Sequence, residues 1–490
     1  MNILFDTNIL IPLEPKTISD IEPETHEINE LYKKLKELNY HIFLLDLQKK
    51  DIESDKDYNR RETRIISFEK YELLENIKQT ELINSAFPNI PEKSHDYVDV
   101  ALLNAVCANA VSILVTNDEG IHKKAKQVGK EDSVYYLSEA LDLVNRQLPN
   151  TSILNGYEHP VITAEKCYNI DENVPFFDSL RQSYNGFNDW FINKCKLAHR
   201  DCFAIREKNI LTGICIYKFE DPCFEMTGKI VKICTFKLIS QGNKLGELLL
   251  KNLLEQCYKS NVDWIYVTAF PDNYICQFFE NFGFEPFKDK LKSTEELILR
   301  KHLLPEENDN LAPLEYHIKY GPKYFDKTAQ SFLVPITDSY HTMLFPETMA
   351  ESLFPEIYYE DSYANAIRKA YICNSNTNQL SEGNILFFYK THSDSSIFVC
   401  GIVEKVLKTS SPEEILSIIG KRTVYKRQEI EDKCRNGNSC LVILFRQTIN
   451  FNRKININDL KKQKLVNGIP QSITQLSEEA KKWIIQQAWS

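Results

Sequence analysis

The sequence lacks several features that would define a protein class at once. No apolar run approaches the roughly 18 residues that span a bilayer, and the first residues read as a strand rather than a signal peptide. The 13 cysteines are odd in number, scattered, and include no Cys-x-x-Cys pair, which argues against a zinc ribbon or a disulfide framework. Glycine and proline are scarce, at 15 and 19 of 490 residues, so nothing suggests a fibrous or disordered chain. We expect a cytoplasmic protein with reduced, mostly buried thiols and no membrane partner.

The chain also lacks a surplus of basic charge. Its net charge is −10, and the 23 Lys/Arg against 22 Asp/Glu from residue 301 onward place the acidic excess in the first 300 residues. Residues 421–464 are the exception, with 12 basic and 4 acidic side chains. That block predicts either a phosphate-contacting patch or a solvated basic face. The length of 490 residues predicts about three domains.

Carboxylates follow the apolar strands of the first 150 residues. The strand within Met1–Leu10 runs into Asp6, and the strand Ser112–Val115 delivers Asp118 two residues beyond its end. Alternating strands and helices predict a parallel sheet covered by helices, whose strand ends meet at one edge. Like charges gathered there repel unless something neutralises them, and Mg²⁺ is the usual neutralising cation.

The same acids also have a purely structural interpretation. A helix that begins at His95 carries Asp96 and Asp99 near its N-terminus, where the helix dipole alone would favour them. Asp118 lies in Asn-Asp-Glu-Gly, a sequence typical of a turn. We favour the structural interpretation for each residue singly, and a shared site for the ordered set.

Residues 1–150 resemble the PIN-domain nucleases. The resemblance lies in the Asp-x-Asn that ends the first strand, the acidic helix start near residue 96, and the later Val-Thr-Asn-Asp. It implies an endoribonuclease that uses Mg²⁺ or Mn²⁺, with Asn8 and Thr116 hydrogen-bonded to the carboxylates. The implied catalytic residues are Asp6, Asp51, Asp96 and Asp118. Asp51 takes the place of an acid in the middle of the domain, and Asp55 is the second choice for that place. The implied metal ligands are Asp6, Asp96, Asp99 and Asp118.

Residues 151–305 contain a strand, a glycine-containing turn and an apolar helix in succession. The strand Ile230–Ser240 precedes the turn Gln241–Gly246 and the helix Glu247–Cys257. Free backbone N–H groups at such a helix start bind phosphate. The segment resembles the GNAT acetyltransferases, whose loop reads Gln/Arg-x-x-Gly-x-Gly/Ala, with a lysine here in place of the middle glycine. The resemblance implies that acetyl-CoA is bound by Gln241, Gly242, Asn243, Lys244, Leu245 and Gly246.

A catalytic residue of that family is missing from the segment. Phe278–Phe284 matches the family's helix-to-strand ending, but its usual tyrosine is Phe279 here. In the family that tyrosine often protonates the departing thiolate, and phenylalanine has no proton to give. Tyr274, one turn earlier, is a candidate substitute. No carboxylate lies within the strand before the loop, so this stretch names no general base.

Residues 306–490 are rich in strands and aromatic side chains. Gly383–Lys390 and Ile397–Lys405 read as strands, with Gly-Ile-Val-Glu in the second and Pro-Gln-Ser-Ile further on. Over residues 365–475 these features resemble the PUA-like barrels of the ASCH/EVE kind, which implies recognition of RNA or of a modified base. Aromatic side chains stack on bases while Arg and Lys hold phosphates. The resulting RNA-binding candidates are Tyr389, Lys390, Arg422, Tyr425, Lys426 and Arg446. By strand alternation, Phe388 is expected inside and Tyr389 on the opposite face.

The sequence therefore predicts a multidomain α/β and α+β chain: a parallel α/β domain (1–150), an α/β acyl-CoA domain (151–305) and a β-barrel (306–490). The leading hypothesis is a metal-dependent endoribonuclease whose barrel selects RNA. The combination resembles a toxin of a bacterial toxin–antitoxin or defence locus, with an antitoxin protein as partner. One alternative is an N-acetyltransferase acting on tRNA or protein, with the first domain as a positioning module. Another is a non-catalytic RNA-binding scaffold that senses acetyl-CoA.

Overall fold

The computed structural model describes most of the chain. It covers residues 1–13, 24–53, 65, 68, 71–88, 90–91, 94–147, 161–207, 209–239, 245–271, 274–291, 295–306, 309–345, 367–391, 395–419, 422, 424–425, 427–468 and 470–489. All 13 cysteines are free thiols. Among the described helices, none is both long and apolar enough to cross a membrane.

Among the described elements, one or two helices separate successive strands up to residue 147, and strands follow one another more often after that. The strands are β1 (Asn2–Phe5), β2 (His41–Leu45), β3 (Glu72–Leu74), β4 (Ile113–Val115), β5 (Val134–Tyr135), β6 (Val161–Lys166), β7 (Asp201–Glu207), β8 (Ile210–Glu220), β9 (Ile230–Leu238), β10 (Trp264–Ala269), β11 (Glu285–Lys290), β12 (Leu297–His302), β13 (Ser331–Ile336), β14 (Arg368–Cys373), β15 (Ile385–Lys390), β16 (Ser396–Thr409), β17 (Cys440–Gln447), β18 (Ile455–Asn456) and β19 (Thr474–Gln475). The helices are α1 (Thr7–Leu13), α2 (Thr25–Glu37), α3 (Lys49–Glu53), α4 (Glu81–Ala86), α5 (His95–Cys107), α6 (Glu119–Gln127), α7 (Leu137–Gln147), α8 (Asp178–Ser183), α9 (Phe187–Trp190), α10 (Leu245–Lys259), α11 (Tyr274–Glu280), α12 (Pro313–Tyr320), α13 (Asp338–Leu344), α14 (Pro412–Ile419), α15 (Arg427–Cys434), α16 (Ile457–Lys462) and α17 (Glu478–Ala488).

The chain forms two compact units. Unit 1 comprises Met1–Asn155, Gln241–Asn243 and Thr409–Ser439, and unit 2 comprises Gly156–Ser240, Lys244–Lys408 and Cys440–Ser490. The segment Thr409–Ser439, which carries α14 and α15 and connects β16 to β17, thus belongs to unit 1. The predicted division into three domains remains a prediction.

Unit 1 contains a five-stranded sheet in the order β3-β2-β1-β4-β5. Every neighbouring pair is parallel, as predicted. The central strands are short apolar runs that are buried on both faces, as expected of a parallel sheet covered by helices. The carboxyl ends of β1 and β4 lie side by side, because Phe5 pairs with Val115.

Unit 2 contains two seven-stranded sheets. The first has the order β11-β12-β10-β9-β8-β7-β6 and is antiparallel except for the parallel pair β9–β10. Helices α10 and α11 contribute to the core on one face, and α8, α9 and the following π-helix Phe191–Lys196 to the core on the other. Helices α8 and α9 are separate because Gly186, which precedes α9, adopts φ of +78°.

The second sheet of unit 2 has the order β14-β17-β16-β15-β13-β19, with β18 paired to β16. The described strands form an open path, so the predicted closed barrel is not what this part of the structure contains. The pair β13–β15 is parallel and makes β15 an interior strand. Core side chains cover both faces of β15.

Candidate functional site

Asp6 lies at the carboxyl end of β1, in unit 1, and is only 7% exposed. The Thr7 N–H donates to its Oδ1 at 2.6 Å, and Asn8 Nδ2 and Thr116 Oγ1 donate to its Oδ2 at 2.8 and 2.6 Å. Burial raises the pKa of Asp6 to about 6, with the charges of Asp99 and Asp118 adding to the rise and the hydrogen bonds from Thr116 and Thr7 opposing it. The acids of β1, α5 and the β4–α6 turn therefore converge.

Thr116 connects the two strand ends. Its hydroxyl donates to Asp6 and accepts from Asn8 Nδ2 at 3.1 Å and from the Asp118 N–H at 3.0 Å. Asn8 and Thr116 make the hydrogen bonds to Asp6 that were expected of them. Asp118 itself is the N-cap of α6, where its Oδ1 accepts from the N–H groups of Gly120 and Ile121 at 2.6 and 3.1 Å.

The side chain of Lys124 places a positive charge next to Asp96 and Asp99. Lys124 Nζ lies 2.7 Å from Asp96 Oδ1 and 2.9 Å from Asp99 Oδ2. Burial acts to lower the pKa of Lys124, but the hydrogen bonds to the two carboxylates outweigh it and raise the pKa above its ordinary value. Burial raises the pKa of Asp99, and Lys124 opposes the rise. Sequence analysis missed Lys124, since its partners lie 25 or more residues away and no local motif marks it.

The described side chains of unit 1, as placed, do not form a divalent metal site. Among the residues described, no group of three or more His, Cys, Asp or Glu side chains is arranged to hold a metal ion. Asp6 accepts hydrogen bonds at both oxygens, and Lys124 neutralises Asp96 and Asp99. The backbone of Asp51 lies in α3, while its side chain and all of Asp55 are outside the described residues. The metal site thus remains a prediction, and no chemistry is derived through it.

In unit 2 the parallel strands β9 and β10 part. They pair from Ile230/Trp264 to Ile233/Val267, and no pairing follows, although β9 continues to Leu238 and β10 to Ala269. Over the described residues beyond that point, β9 pairs only with β8, and β10 only with β12. Among the described residues, one side of β9 therefore makes no ladder hydrogen bonds to another strand beyond Ile233.

A helix of fifteen residues, α10, begins shortly after β9. Its second residue, Gly246, is closely packed: a Cβ there would lie 3.2 Å from Leu238 Cδ1 and 3.4 Å from Phe278. Leu245 is buried. Four of the predicted acetyl-CoA contacts lie outside the described residues: Gln241, Gly242, Asn243 and Lys244.

Phe279, at the place of the family's tyrosine, is a core residue. It is fully buried, with ring centroids 5.2 Å from Phe236 and 4.8 Å from Phe284. The side chain of the proposed substitute, Tyr274, lies outside the described residues. The described part of α11 therefore offers packing rather than a proton donor.

A carboxylate that sequence analysis missed lies at the end of β10. Glu296 precedes β12, whose first residue Leu297 pairs with Ala269, the last residue of β10. Tyr184 Oη donates to Glu296 Oε1 at 3.0 Å, and the Tyr184 ring stacks on Phe270 at 5.8 Å. Burial raises the pKa of Tyr184, and the charge of Glu296 raises it further. The 112 residues between Tyr184 and Glu296 hide this pair from sequence analysis.

Most of the predicted RNA-binding side chains are buried, so their role in RNA binding stays a prediction. Tyr389 is fully buried together with Phe387 and Phe388, because β15 is covered on both faces and a bulge falls between residues 388 and 389. In unit 1, Tyr425 is 3% exposed and Arg422, 5% exposed, is paired with Asp132.

The remaining candidates divide among three situations. Arg446 is 6% exposed; it pairs with Glu404 and donates to the carbonyl of Asn281. Lys390 is partly exposed, with its ammonium 5.8 Å from the centre of the Phe398 ring. Lys426 lies outside the described residues. Four of the six predicted side chains thus serve internal packing and charge pairing, and they form no described RNA-binding surface.

Comparison with known proteins found solved structures that each match about a third of the chain. ASCH from Zymomonas mobilis is 16% identical, covering 33% of this chain and 96% of its own, with a TM-score of 0.25. Arabidopsis thaliana Naa50, solved with a bisubstrate analogue, is 19% identical, covering 29% of this chain and 97% of its own, with a TM-score of 0.22. A probable acetyltransferase from Staphylococcus epidermidis is 13% identical, covering 30% of this chain and 99% of its own, with a TM-score of 0.22.

No family model matches the chain, and no curated protein matches it. The structural matches thus include an ASCH protein and acetyltransferases. Similarities of this size assign no activity, ligand or partner to this chain.

Proposed function

We propose that unit 2 is an acyl-CoA-dependent N-acetyltransferase whose site lies where β9 and β10 part. The observation that carries this proposal is the end of β9–β10 pairing at Ile233 and Val267, while both strands continue. An extended ligand with amide groups can add to β9 there as a further strand would. The pantetheine arm of acetyl-CoA is such a ligand.

The helix after β9 supplies the second part of the site. The N-terminal N–H groups of a helix carry partial positive charge and attract phosphate. Gly246, in the first turn of α10, lets the backbone of this turn approach Leu238 and Phe278 closely. Acetyl-CoA would place its pyrophosphate at α10 and its thioester between the parted strands.

The chemistry needs few groups from the protein. An acceptor amine attacks the thioester carbonyl, and N–H donors aimed at the carbonyl oxygen stabilise the charge that develops there. The N–H groups of β9 beyond Ile233 are suited to that role. Since Phe279 cannot donate a proton, the departing thiolate takes its proton from another source.

Acetyl-CoA binding measured by calorimetry tests this proposal. We expect wild type to bind acetyl-CoA and Gly246→Glu to bind at least tenfold more weakly, because the new side chain adds bulk and negative charge at the phosphate position. Gly468→Glu is the matched control, since nothing lies within 4 Å of the Cβ it would add. Thermal unfolding confirms that each variant is folded. Absence of binding by wild type would overturn the proposal.

One observation favours a second candidate function, cleavage of RNA by unit 1. Asp6, Asp99 and Asp118 lie close enough for the last two to raise the pKa of the first. A divalent cation would have to displace Lys124 from Asp96 and Asp99. RNA cleavage by wild type in Mn²⁺ that disappears in Asp6→Asn would support this function, and equal activity in both proteins would remove it.

A further inference from the structure

A bulge in β9 marks the point where this strand leaves β10. In the β8–β9 ladder the pairing passes from Ile233 to Thr235, so Cys234 has no counterpart on β8. The pairing of β9 with β10 ends at the same Ile233. A bulge bends its strand and changes the face on which the following side chains lie. The part of β9 after the bulge therefore differs in direction and in facing from the part that pairs with β10.

Beyond this bulge, the side chains of β9 alternate between two cores. Phe236 and Leu238 pack against the core on the side of α10, as Ile233 does before the bulge. Lys237 lies between them and points to the other side, where its ammonium is 5.5 Å from the centre of the Phe176 ring. Phe176 belongs to the core to which α8 and α9 contribute. Lys237 is the one amine side chain among residues 234–238.

The ammonium of Lys237 contacts a hydroxyl and a ring rather than a carboxylate. Its Nζ donates to Ser179 Oγ at 2.5 Å, and among the described residues it makes no ion pair. Burial lowers the pKa of the ammonium. Four other lysines of this sheet and its flanking segments are each paired with a carboxylate: Lys166 with Asp201, Lys196 with Glu172, Lys218 with Glu220 and Lys288 with Glu225. Lys237 therefore reaches the neutral, nucleophilic form more readily than an ordinary lysine.

We propose that Lys237 is an acetylation site of the protein itself, at which its Nζ takes the acetyl group from bound acetyl-CoA. This inference rests on the proposed function, which places the pantetheine arm along β9 beyond Ile233. From Cys234 to Lys237 the strand advances about 10 Å, at about 3.3 Å per residue. A thioester held along this part of β9 therefore lies within reach of a lysine side chain that starts from the same strand.

The transfer balances without a further reagent. The Lys237 ammonium first loses one proton to water, and the lone pair of the neutral amine attacks the thioester carbonyl carbon. A C–N bond forms and the C–S bond breaks, with its electron pair going to sulfur. The amine nitrogen gives a second proton to the CoA thiolate. The products are Nε-acetyl-lysine at position 237, CoA thiol and one proton.

Peptide mass spectrometry of the full chain after incubation with isotope-labelled acetyl-CoA tests the inference. Lys232 is the matched lysine, since it lies in the part of β9 that pairs with β10. We expect about tenfold more label at Lys237 than at Lys232, or a larger excess, because a thioester bound beside an amine reacts as if highly concentrated. The chain unfolded in urea should label the two lysines equally. As pH rises, labelling of Lys237 should reach its plateau at a lower pH than labelling of a free lysine derivative, since burial lowers the pKa of Lys237.

Lys237→Arg keeps the positive charge and should abolish this label, while Lys232→Arg should leave the label at Lys237 unchanged. Wild type that binds acetyl-CoA but labels Lys237 no more than Lys232 would overturn the inference and leave the proposed function intact. Label at Lys237 that persists in a Gly246→Glu chain unable to bind acetyl-CoA would also overturn it, since the acetyl group would then come directly from solution. Absence of acetyl-CoA binding by wild type would instead remove the proposed function itself.

Discussion

Asp6 illustrates how burial and hydrogen bonding oppose each other at one residue. The carboxylate accepts from Thr7, Asn8 and Thr116, all of which favour its charged form. Burial outweighs them, so its pKa is about 6 against an ordinary 3.8. The folded state therefore binds a proton at Asp6 that the unfolded state releases.

The free energy of unfolding, measured as a function of pH, should show the effect of this bound proton. Because the folded pKa is raised, the stability contributed by protonation is fully present below about pH 4 and lost as pH rises through about 6. The loss should amount to about 2–3 kcal/mol at pH 7. Urea unfolding of wild type and Asp6→Asn at pH 4.5 and 7 isolates the contribution of Asp6 to the pH dependence of the unfolding free energy, because the variant cannot titrate at residue 6. An equal pH dependence in the two proteins would contradict the prediction.

Lys124 should control the affinity of unit 1 for divalent cations. Lys124→Met leaves Asp96 and Asp99 without the ammonium that now lies between them. We expect its Kd for Mn²⁺ to fall at least tenfold below that of wild type, since the carboxylates no longer have an internal counter-charge. Calorimetry with Mn²⁺ alone makes the measurement, and Lys123→Met is the control. An unchanged Mn²⁺ affinity would show that Lys124 does not compete with the cation.

Sequence analysis found those site residues that belong to local motifs. Asp6, Asn8 and Thr116 follow strand ends, so short patterns mark them. Lys124 and Glu296 acquire their partners only through the fold, and no local spacing marks them. Tyr389 was misplaced because strand alternation assumes that one face of a strand is open, and β15 is covered on both.

Among the elements, the pair β9–β10 has the greatest consequence for function. Apolar patterning predicted β9 and the helix that follows it, with bounds within two residues for β9 and α10. The point where the two strands stop pairing, after Ile233 and Val267, is a property of the folded sheet that no local sequence pattern marks.

Helices α14 and α15 complete unit 1, and Arg427 is the residue to test. Its Nη1 donates to Tyr40 Oη at 3.0 Å, and its other nitrogens pair with Glu413 and Glu431. Arg427→Ala should destabilise the chain by about 1–2 kcal/mol, because these charge-assisted bonds are partly buried. Arg435→Ala is the control: its side chain is 68% exposed and pairs with Asp432, so we expect less than about 0.5 kcal/mol. Equal losses in urea unfolding would contradict the role of Arg427.

At the scale of the molecule, buried charges connect the two sheets of unit 2. Glu247 in α10 accepts from the N–H groups of Ile367 and Arg368 at 2.6 and 3.2 Å. Glu404 pairs with Arg368 and Arg446. Arg446 then donates to the carbonyl of Asn281, beside the first sheet, at 2.8 Å.

Arg446→Ala should therefore weaken both sheets of unit 2 together. Removing one partner of a buried ion pair leaves Glu404 with a single arginine, and such losses cost about 3–5 kcal/mol. We expect unit 2 of wild type to unfold in one cooperative transition, and unit 2 of the variant to unfold earlier or in two steps. Hydrogen exchange of the backbone amides of β10 and β15 monitors the unfolding of the two sheets. Lys462→Ala, at an exposed ion pair, is the control. Unchanged exchange in Arg446→Ala would show that the sheets are held together by other contacts.

The position of residues 409–439 in unit 1 has a consequence during synthesis on the ribosome. The first 155 residues emerge early, but Leu416, whose carbonyl accepts from Tyr135 Oη at 3.4 Å, is translated some 280 residues later. Until then, the surface that α14 and α15 cover faces water. Residues 1–155 can therefore complete the folding of unit 1 only after much of the polypeptide has left the exit tunnel.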